Sequence, residues 1–280
     1  MTAHGALATE RSADGMSSRL SVLRSQGFLV LRPCNSNGEE PLTNGRRNVA
    51  RVALAAGTAG PLGGDDFTLE MHVGAGSTLV LTEISAMLVL PGSRRGRSTM
   101  RITVRVDEDA TFVWMPKPII AARGCDHEHD VRISLERNAR MVMREETILG
   151  RHREEPGNFR TTLRITHEGR PLYHQQLRFG PAAEGSRSAA VLGNNRAVGS
   201  VIAVDPAWTD DTPTAAAFHP DAVMTPLPGP GMLISAVAHD SLQLRQLLDR
   251  GLDALGAPWR PEAARSSRDA ATQSQFKSAG

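Results

Sequence analysis

Val73-Gly-Ala-Gly-Ser-Thr-Leu79, Val106-Asp-Glu-Asp-Ala-Thr-Phe112 and Leu135-Glu-Arg-Asn-Ala-Arg-Met141 share one pattern: an apolar residue, a short polar turn holding Gly, Asp or Asn, and a return to apolar residues. A looser fourth copy is Ile165-Thr-His-Glu-Gly-Arg-Pro-Leu172. The four copies start at positions 73, 106, 135 and 165, a near-constant spacing that marks stacked supersecondary units. Gly, Asp and Asn tolerate positive φ, so each copy reads as strand, turn, strand. The flanks agree, because Phe67, Leu69, Met71 and Val73 alternate onto one face, as do Ile102, Val104 and Val106, and then Val131, Ile133 and Leu135. A lone hairpin is marginal in water, so successive units must stack to bury their apolar faces. The expectation is an all-β, mainly antiparallel fold, a β-superhelix of stacked hairpins with a short C-terminal helix; the alternative is a β-sandwich with regular turn spacing.

Strands fill the chain from about Arg19 to Gly180. Outside this region, residues 1–18 and 261–280 are rich in Ala, Ser, Thr and charge, and they are expected as disordered tails around one domain at 19–260. Prolines at 206, 213, 220, 226, 228 and 230 predict a long loop over Pro206 to Pro230. Met232 to Ala238 then reads as a strand. Asp240 or Ser241 caps a helix that gathers Leu244, Leu247, Leu248, Leu252 and Leu255 on one face and stops at Gly256 and Pro258.

With 40% hydrophobic and 22% charged residues, the composition is that of a folded globular protein. The net charge of +2 is too small to steer a polyanion, and nearly all of the positive charge is arginine, since Lys117 and Lys277 are the only lysines. Two cysteines, Cys34 and Cys125, are too few for a disulfide-built secreted scaffold. No apolar run is long enough for a membrane span, and the N-terminus lacks the pattern of a signal peptide. A cytoplasmic protein with no nucleic-acid or membrane partner is expected.

The richest cluster of potential ligands is Cys125-Asp-His127-Glu-His129-Asp130. On an extended strand, positions 125, 127 and 129 share a face and would offer a thiol and two imidazoles to Ni²⁺ or Zn²⁺. A metal-dependent enzyme using Cys125, His127 and His129 as ligands, with Glu145 as base, is therefore the alternative function. The run Arg94-Arg95-Gly-Arg97, with Arg101 nearby, has the charge to hold phosphate, but no aromatic platform accompanies it, and it reads as a solvated turn. The chain has no nucleophile elbow, phosphate loop or His-Glu-x-x-His, so no catalytic residue is assigned. Among many carboxylates, Asp65, Asp66, Glu70, Glu83, Glu145, Glu146, Glu154 and Glu155 stand out, and sequence alone cannot pair them.

Six segments in order resemble the urease accessory protein UreD (UreH) family. They are Ala59-Gly-Pro-Leu-Gly63-Gly64-Asp65 with the following Leu69-Glu-Met-His-Val-Gly-Ala-Gly; Thr82-Glu-Ile-Ser-Ala86; Phe112-Val-Trp-Met-Pro-Lys-Pro-Ile119; Glu145-Glu-Thr-Ile-Leu-Gly150-Arg151; the hairpin from Phe159 to Phe179; and Leu192-Gly-Asn-Asn-Arg-Ala-Val-Gly-Ser-Val201. The match spans roughly residues 45–260, and the Leu-rich closing helix also resembles the family's C-terminus. It departs from the family pattern at Met87-Leu88, at Lys117 where the family carries Gln, and at Asn158. The resemblance implies a β-superhelix that is not itself an enzyme. Such a protein binds the helical accessory protein UreF, and through it the GTPase UreG, and docks on apo-urease. It holds no tight cofactor but gives transient passage to Ni²⁺ on its way into urease. Asp65 and Glu145 become candidates for the lining of that passage, with Gly63, Gly64, Gly150 and Arg151 as motif residues around them. Carboxylates suit the task, because a divalent ion must be attracted and still be able to leave.

Overall fold

At the third turn position of each repeat stand Gly76, Asp109 and Asn138, with φ of 65°, 57° and 58°, and each turn is closed by a bond from the following residue's amide: Ser77 to the Gly74 carbonyl, Ala110 to Asp107 and Ala139 to Glu136. The turns also bond to one another, Gly76 N–H to Glu108 C=O at 2.9 Å and Asp109 N–H to Arg137 C=O at 3.2 Å. Neighbouring repeats are therefore stacked in register. The computed structural model describes residues 1–35, 42–43, 48–93, 96–209, 213–256 and 259; the expected tail at 261–280, together with Arg94 and Arg95, lies outside the described residues.

Eighteen strands and one helix make up these residues. The first nine strands are β1 Thr2–Arg11, β2 Ser18–Arg24, β3 Leu29–Cys34, β4 Ala50–Ala56, β5 Asp66–Val73, β6 Thr78–Glu83, β7 Met87–Val89, β8 Ser98–Val106 and β9 Thr111–Met115. There follow β10 Ile119–Ala121, β11 Asp126–Leu135, β12 Arg140–Leu149, β13 Asn158–His167, β14 Arg170–Phe179, β15 Ala197–Val204, β16 Ala216–His219, β17 Ala222–Pro226, β18 Gly231–Ala238 and helix α1 Ser241–Leu255. One sheet runs β14-β13-β11-β8-β5-β1-β2; the other runs β16-β17-β18-β15-β12-β9-β6-β4-β3, with β10 beside β12 and β7 beside β10.

The superhelix stands, but its units are not hairpins. β5 and β6 lie in different sheets, as do β8 and β9, and β11 and β12, so each repeat is an arc that crosses between the sheets. Pairing between arcs is parallel: β1 with β5, β5 with β8, β8 with β11 and β11 with β13 in one sheet, β4 with β6, β6 with β9 and β9 with β12 in the other. The expected antiparallel order holds only at the ends, where the fourth copy forms a true β13–β14 hairpin through Glu168 and Gly169 at φ 49° and 72°. Alternation cannot separate the two cases, because a strand buried on one face has the same period whether its partner runs parallel or antiparallel.

Two further expectations are corrected. Residues 1–18 are not a tail: β1 pairs with β5 on one side and β2 on the other. Its inward residues Ala3, Gly5, Leu7 and Thr9 are small except for Leu7, and the close approach of Gly5 to Leu69 shows why they must be. The stretch from Pro206 to Pro230 is not one loop either, since it holds a 3₁₀ turn at Pro206–Thr209 and the edge strands β16 and β17. Its prolines sit at strand ends or between strands, where no ladder amide is needed.

Phe67, Leu69, Ile102, Val104, Phe112, Trp114, Met141 and Met143 fill the space between the sheets. A second apolar layer forms outside the larger sheet, where Val142, Val201 and Ile234 meet Leu244, Leu247, Leu248 and Leu252 of α1. Asp240 caps that helix by accepting the Gln243 amide at 2.8 Å. Because Leu7 is buried in the inter-sheet core, Leu7→Ala is expected to cost about 2–4 kcal/mol in denaturant unfolding; a silent change would return residues 1–18 to the status of a tail.

Candidate functional site

The larger sheet is interrupted at one level. The β9–β12 ladder ends at the pair Trp114 and Met143, and the β10–β12 ladder begins at Ile119 and Thr147. Between them Pro116-Lys117-Pro118 faces Arg144-Glu145-Glu146 with no ladder bonds. Two of those three residues are prolines and have no amide to give. The layer above is interrupted in the same place, where β6 ends at Glu83 and β7 begins at Met87. The outcome is an aperture through the sheet, opening on a cavity of about 70 Å³ lined by Glu83, Trp114, Lys117, His129, Glu145 and Thr161 among others.

The side chains of β12 divide at this aperture. Arg144 and Glu146 turn to the helix side, where Arg144 pairs with Glu146 at 3.5 Å and with Asp249, and Arg245 pairs with Glu146 at 3.2 Å. Glu145, between them, projects inward towards the other sheet. It lines the aperture cavity and also a second one of about 470 Å³, and Thr147 and Thr161 are shared in the same way. The second cavity opens towards β14, β16 and β17 through Gln175, Leu177, Pro220 and Val223. Glu145 thus stands between the aperture cavity and the one at the sheet's open edge.

Burial pushes the Glu145 carboxyl up to about 7, with the Thr161 hydroxyl pulling the other way. Glu83 is raised to about 7 as well, by burial, against the opposing pull of the Lys117 amide, the Trp114 indole and the Lys117 charge. Across the cavity, burial drives His129 down to about 4, and its Nδ1 has no hydrogen-bond partner. The Tyr173 hydroxyl, also without a partner, is raised by burial and by the charge of Glu145. The interior therefore holds carboxylates that ionise reluctantly and a neutral imidazole, a set of donors that a cation could use in passing.

The ligand cluster expected at 125–129 is only partly brought together. Cys125, His127 and His129 all point to the buried side, and the two rings lie 6.1 Å apart. His127 bonds through Nδ1 to Ser98 Oγ at 2.8 Å, stacks on Phe159, and is held down to about 3 by burial. Cys125 sits instead in an apolar cluster with Val89, Ala121, Leu149 and Phe179, where burial raises its thiol to about 11. A protonated thiol is a poor metal ligand. Among the described residues no three His, Cys, Asp or Glu side chains assemble as a metal cage.

Asp65 and Glu145 are not brought together. Asp65 lines neither cavity; it accepts the Leu62 amide at 2.9 Å and the Met1 ammonium at 2.7 Å, and its own amide donates back to Leu62. It fixes the turn formed with Gly63 and Gly64, the latter at φ 85°. Gly150, at φ 83°, passes so close to the Glu154 carbonyl that no Cβ fits, and Arg151 pairs with Glu154 at 2.8 Å. Arg97 is paired with Asp126 and Glu128, and Arg101 with Asp66, so these guanidiniums are engaged within the sheet surface.

The match to known proteins extends along this same frame. The family model described as UreD urease accessory protein matches residues 1–270. The chain belongs to the UreD family. It is 38% identical to the urease accessory protein UreD of Streptomyces avermitilis over 91% of this chain and 100% of that one, and 37% identical to that of Streptomyces coelicolor over 84% and 90%. The UreD of Parafrankia is 40% identical over 74% of this chain and 76% of its own. The family match includes β1. No described helix is long and apolar enough to cross a membrane.

For Glu145 the sign of the pH dependence follows from its raised value. Below its ordinary value of 4.5 it is protonated folded or unfolded; as pH rises through 4.5 to about 7 the unfolded chain loses the proton first, and the native state loses stability until it too ionises. Glu145→Gln removes this loss. The variant should gain about 1–3 kcal/mol over wild type at pH 8.5 and close to nothing at pH 4.5. Equal shifts at both pH values in thermal melts would show that the carboxyl is not perturbed in the folded chain.

Proposed function

We propose that this UreD-family chain is a maturation scaffold and not an enzyme: it conducts Ni²⁺ through the larger sheet, past Glu145, towards apo-urease, while bound to UreF and through it to UreG in the cytoplasm. The observation that carries the reading is the position of Glu145, the one carboxylate that lines both cavities. Its chemistry suits transfer. A carboxyl near neutrality in burial exchanges a proton for a metal ion with little bias either way, and a single oxygen donor backed by Thr161 and His129 is too sparse to trap the ion. The paired Arg144 and Glu146 beside it hold the aperture's rim to α1 without offering a free charge of either sign.

The test is urease co-expressed with its accessory genes and assayed for bound nickel by elemental analysis. Glu145→Lys places a fixed positive charge at the junction and is expected to lower urease nickel at least about tenfold while pull-down of UreF and apo-urease is retained. Asp65→Asn keeps an acceptor for the Leu62 amide and should load normally, since Asp65 serves a turn. Normal nickel in an assembling Glu145→Lys complex would end the passage reading.

A further inference from the structure

Lys117 is exceptional in this chain. Of its two lysines it is the one among the described residues, in a protein that otherwise takes its positive charge from arginine. It stands at the mouth of the aperture between Pro116 and Pro118, which fix the backbone there while the side chain extends exposed. Its amide donates to Glu83 Oε2 at 3.2 Å. Its ammonium makes no direct ion pair among the described residues and acts on Glu83 through space. The other cation lining this cavity, Arg144, is engaged with Glu146 and Asp249.

We propose that Lys117 is a tethered competitor cation at the entrance: its ammonium offsets Glu83 through space in the metal-free protein, and a divalent ion enters by taking Glu83 as its first ligand and replacing that ammonium as the compensating charge. This rests on the passage reading for its cargo but concerns a separate step, entry. Two observations and one chemical property support it. First, Glu83 is half-buried in the cavity wall, so an ionised carboxylate there gains from a nearby positive charge. Second, lysine can yield the position. Its compact ammonium on a flexible stem makes no forked clamp, whereas a guanidinium would grip the carboxylate through two bonds and leave slowly. Third, the cavity behind Glu83 presents a ring nitrogen that nothing satisfies, His129 Nδ1 on a side chain 5% exposed. An entering ion that sheds water finds the imidazole of His129 beyond the first carboxylate.

The competitor role gives Lys117 a measurable sign. Removing its charge should make Ni²⁺ bind more tightly at the mouth, not less, because a like charge that acts on Glu83 is lost. Trp114 lines the same cavity and reports on it: paramagnetic Ni²⁺ beside the indole quenches its fluorescence. In the purified full-length chain carrying Trp208→Phe and Trp259→Phe, Ni²⁺ titration is expected to reach half-quenching at a concentration about three- to tenfold lower for Lys117→Gln than for its parent. Lys117→Arg should leave the midpoint unchanged or raise it. Glu83→Gln should abolish the quenching, and adding Lys117→Gln to it should restore nothing. Calorimetric Ni²⁺ titration of the chain with all three tryptophans intact repeats the comparison without the background substitutions. An unchanged midpoint in Lys117→Gln, or quenching that survives Glu83→Gln, overturns the proposal. A Lys117 response combined with nickel loading that ignores Glu145 would keep the entrance and discard the passage; the reverse pattern would discard the entrance alone.

Discussion

Each arc of the superhelix must reverse direction within four residues while keeping its backbone bonded to the arcs on either side. That requirement is met by one conformation, a left-handed residue at the third turn position, occupied in turn by Gly76, Asp109 and Asn138. Glycine adopts it freely, and Asn and Asp adopt it at small cost, whereas a β-branched residue there would be strained. Because the turns bond to each other as well as within themselves, the register of each arc is set by the one before it. The inter-sheet core follows: Phe67, Met100 and His129 come into line only because the turns do.

The same regularity makes an interruption conspicuous. A parallel sheet buried on both faces leaves no amide unpaired without cost, and prolines are the residues that remove the amide outright. Pro116 and Pro118 do this where β9 gives way to β10, while β12 continues without a break on the far side. Glu145 is carried on the unbroken strand, bonded through its backbone to β15 opposite Ser200. A reluctant carboxylate is thus held on a rigid strand beside a hole in an otherwise closed sheet. The stability lost to the buried charge is supplied by the packing of the arcs above and below and by α1, which seals the outer face through Leu244, Leu247 and Leu248.

What the sequence made legible was period and punctuation. The alternation of Phe67, Leu69 and Met71, the recurring turns, and the capped Leu-rich helix all carry local signals, and each appears where expected. The direction of pairing carried none, since a parallel arc and an antiparallel hairpin bury the same alternate residues. β1 was hidden for a different reason: Ala3 and Gly5 are inward residues chosen for smallness, and small residues do not look like a strand. At the site, Glu145 was reached through a motif whose glycine, Gly150, has a clear backbone role. Asp65 came from an equally good motif and proved to be a turn residue, because an Asp after Gly-Gly serves nearby amides as readily as it serves an ion. Glu83 stood among eight carboxylates with nothing to single it out. Its partner Lys117 is 34 residues away, and the β6–β9 register, which ends at Thr82 opposite Met115, brings them together.

The pairing of Glu83 with Lys117 and of Arg144 with Glu146 shows how charge is divided across this aperture. Arg144 and Glu146 satisfy each other and the helix, so their charges are spent on structure, and a buried network of that kind resists rearrangement. Glu83 and Lys117 touch only through a backbone amide, and the lysine side chain remains exposed. The aperture therefore has one pair that cannot open without loosening α1 and, opposite it, a carboxylate whose nearby lysine side chain is not clamped to it. Under the proposed passage, that difference in stiffness, more than any difference in net charge, favours the Lys117 side of the aperture for entry.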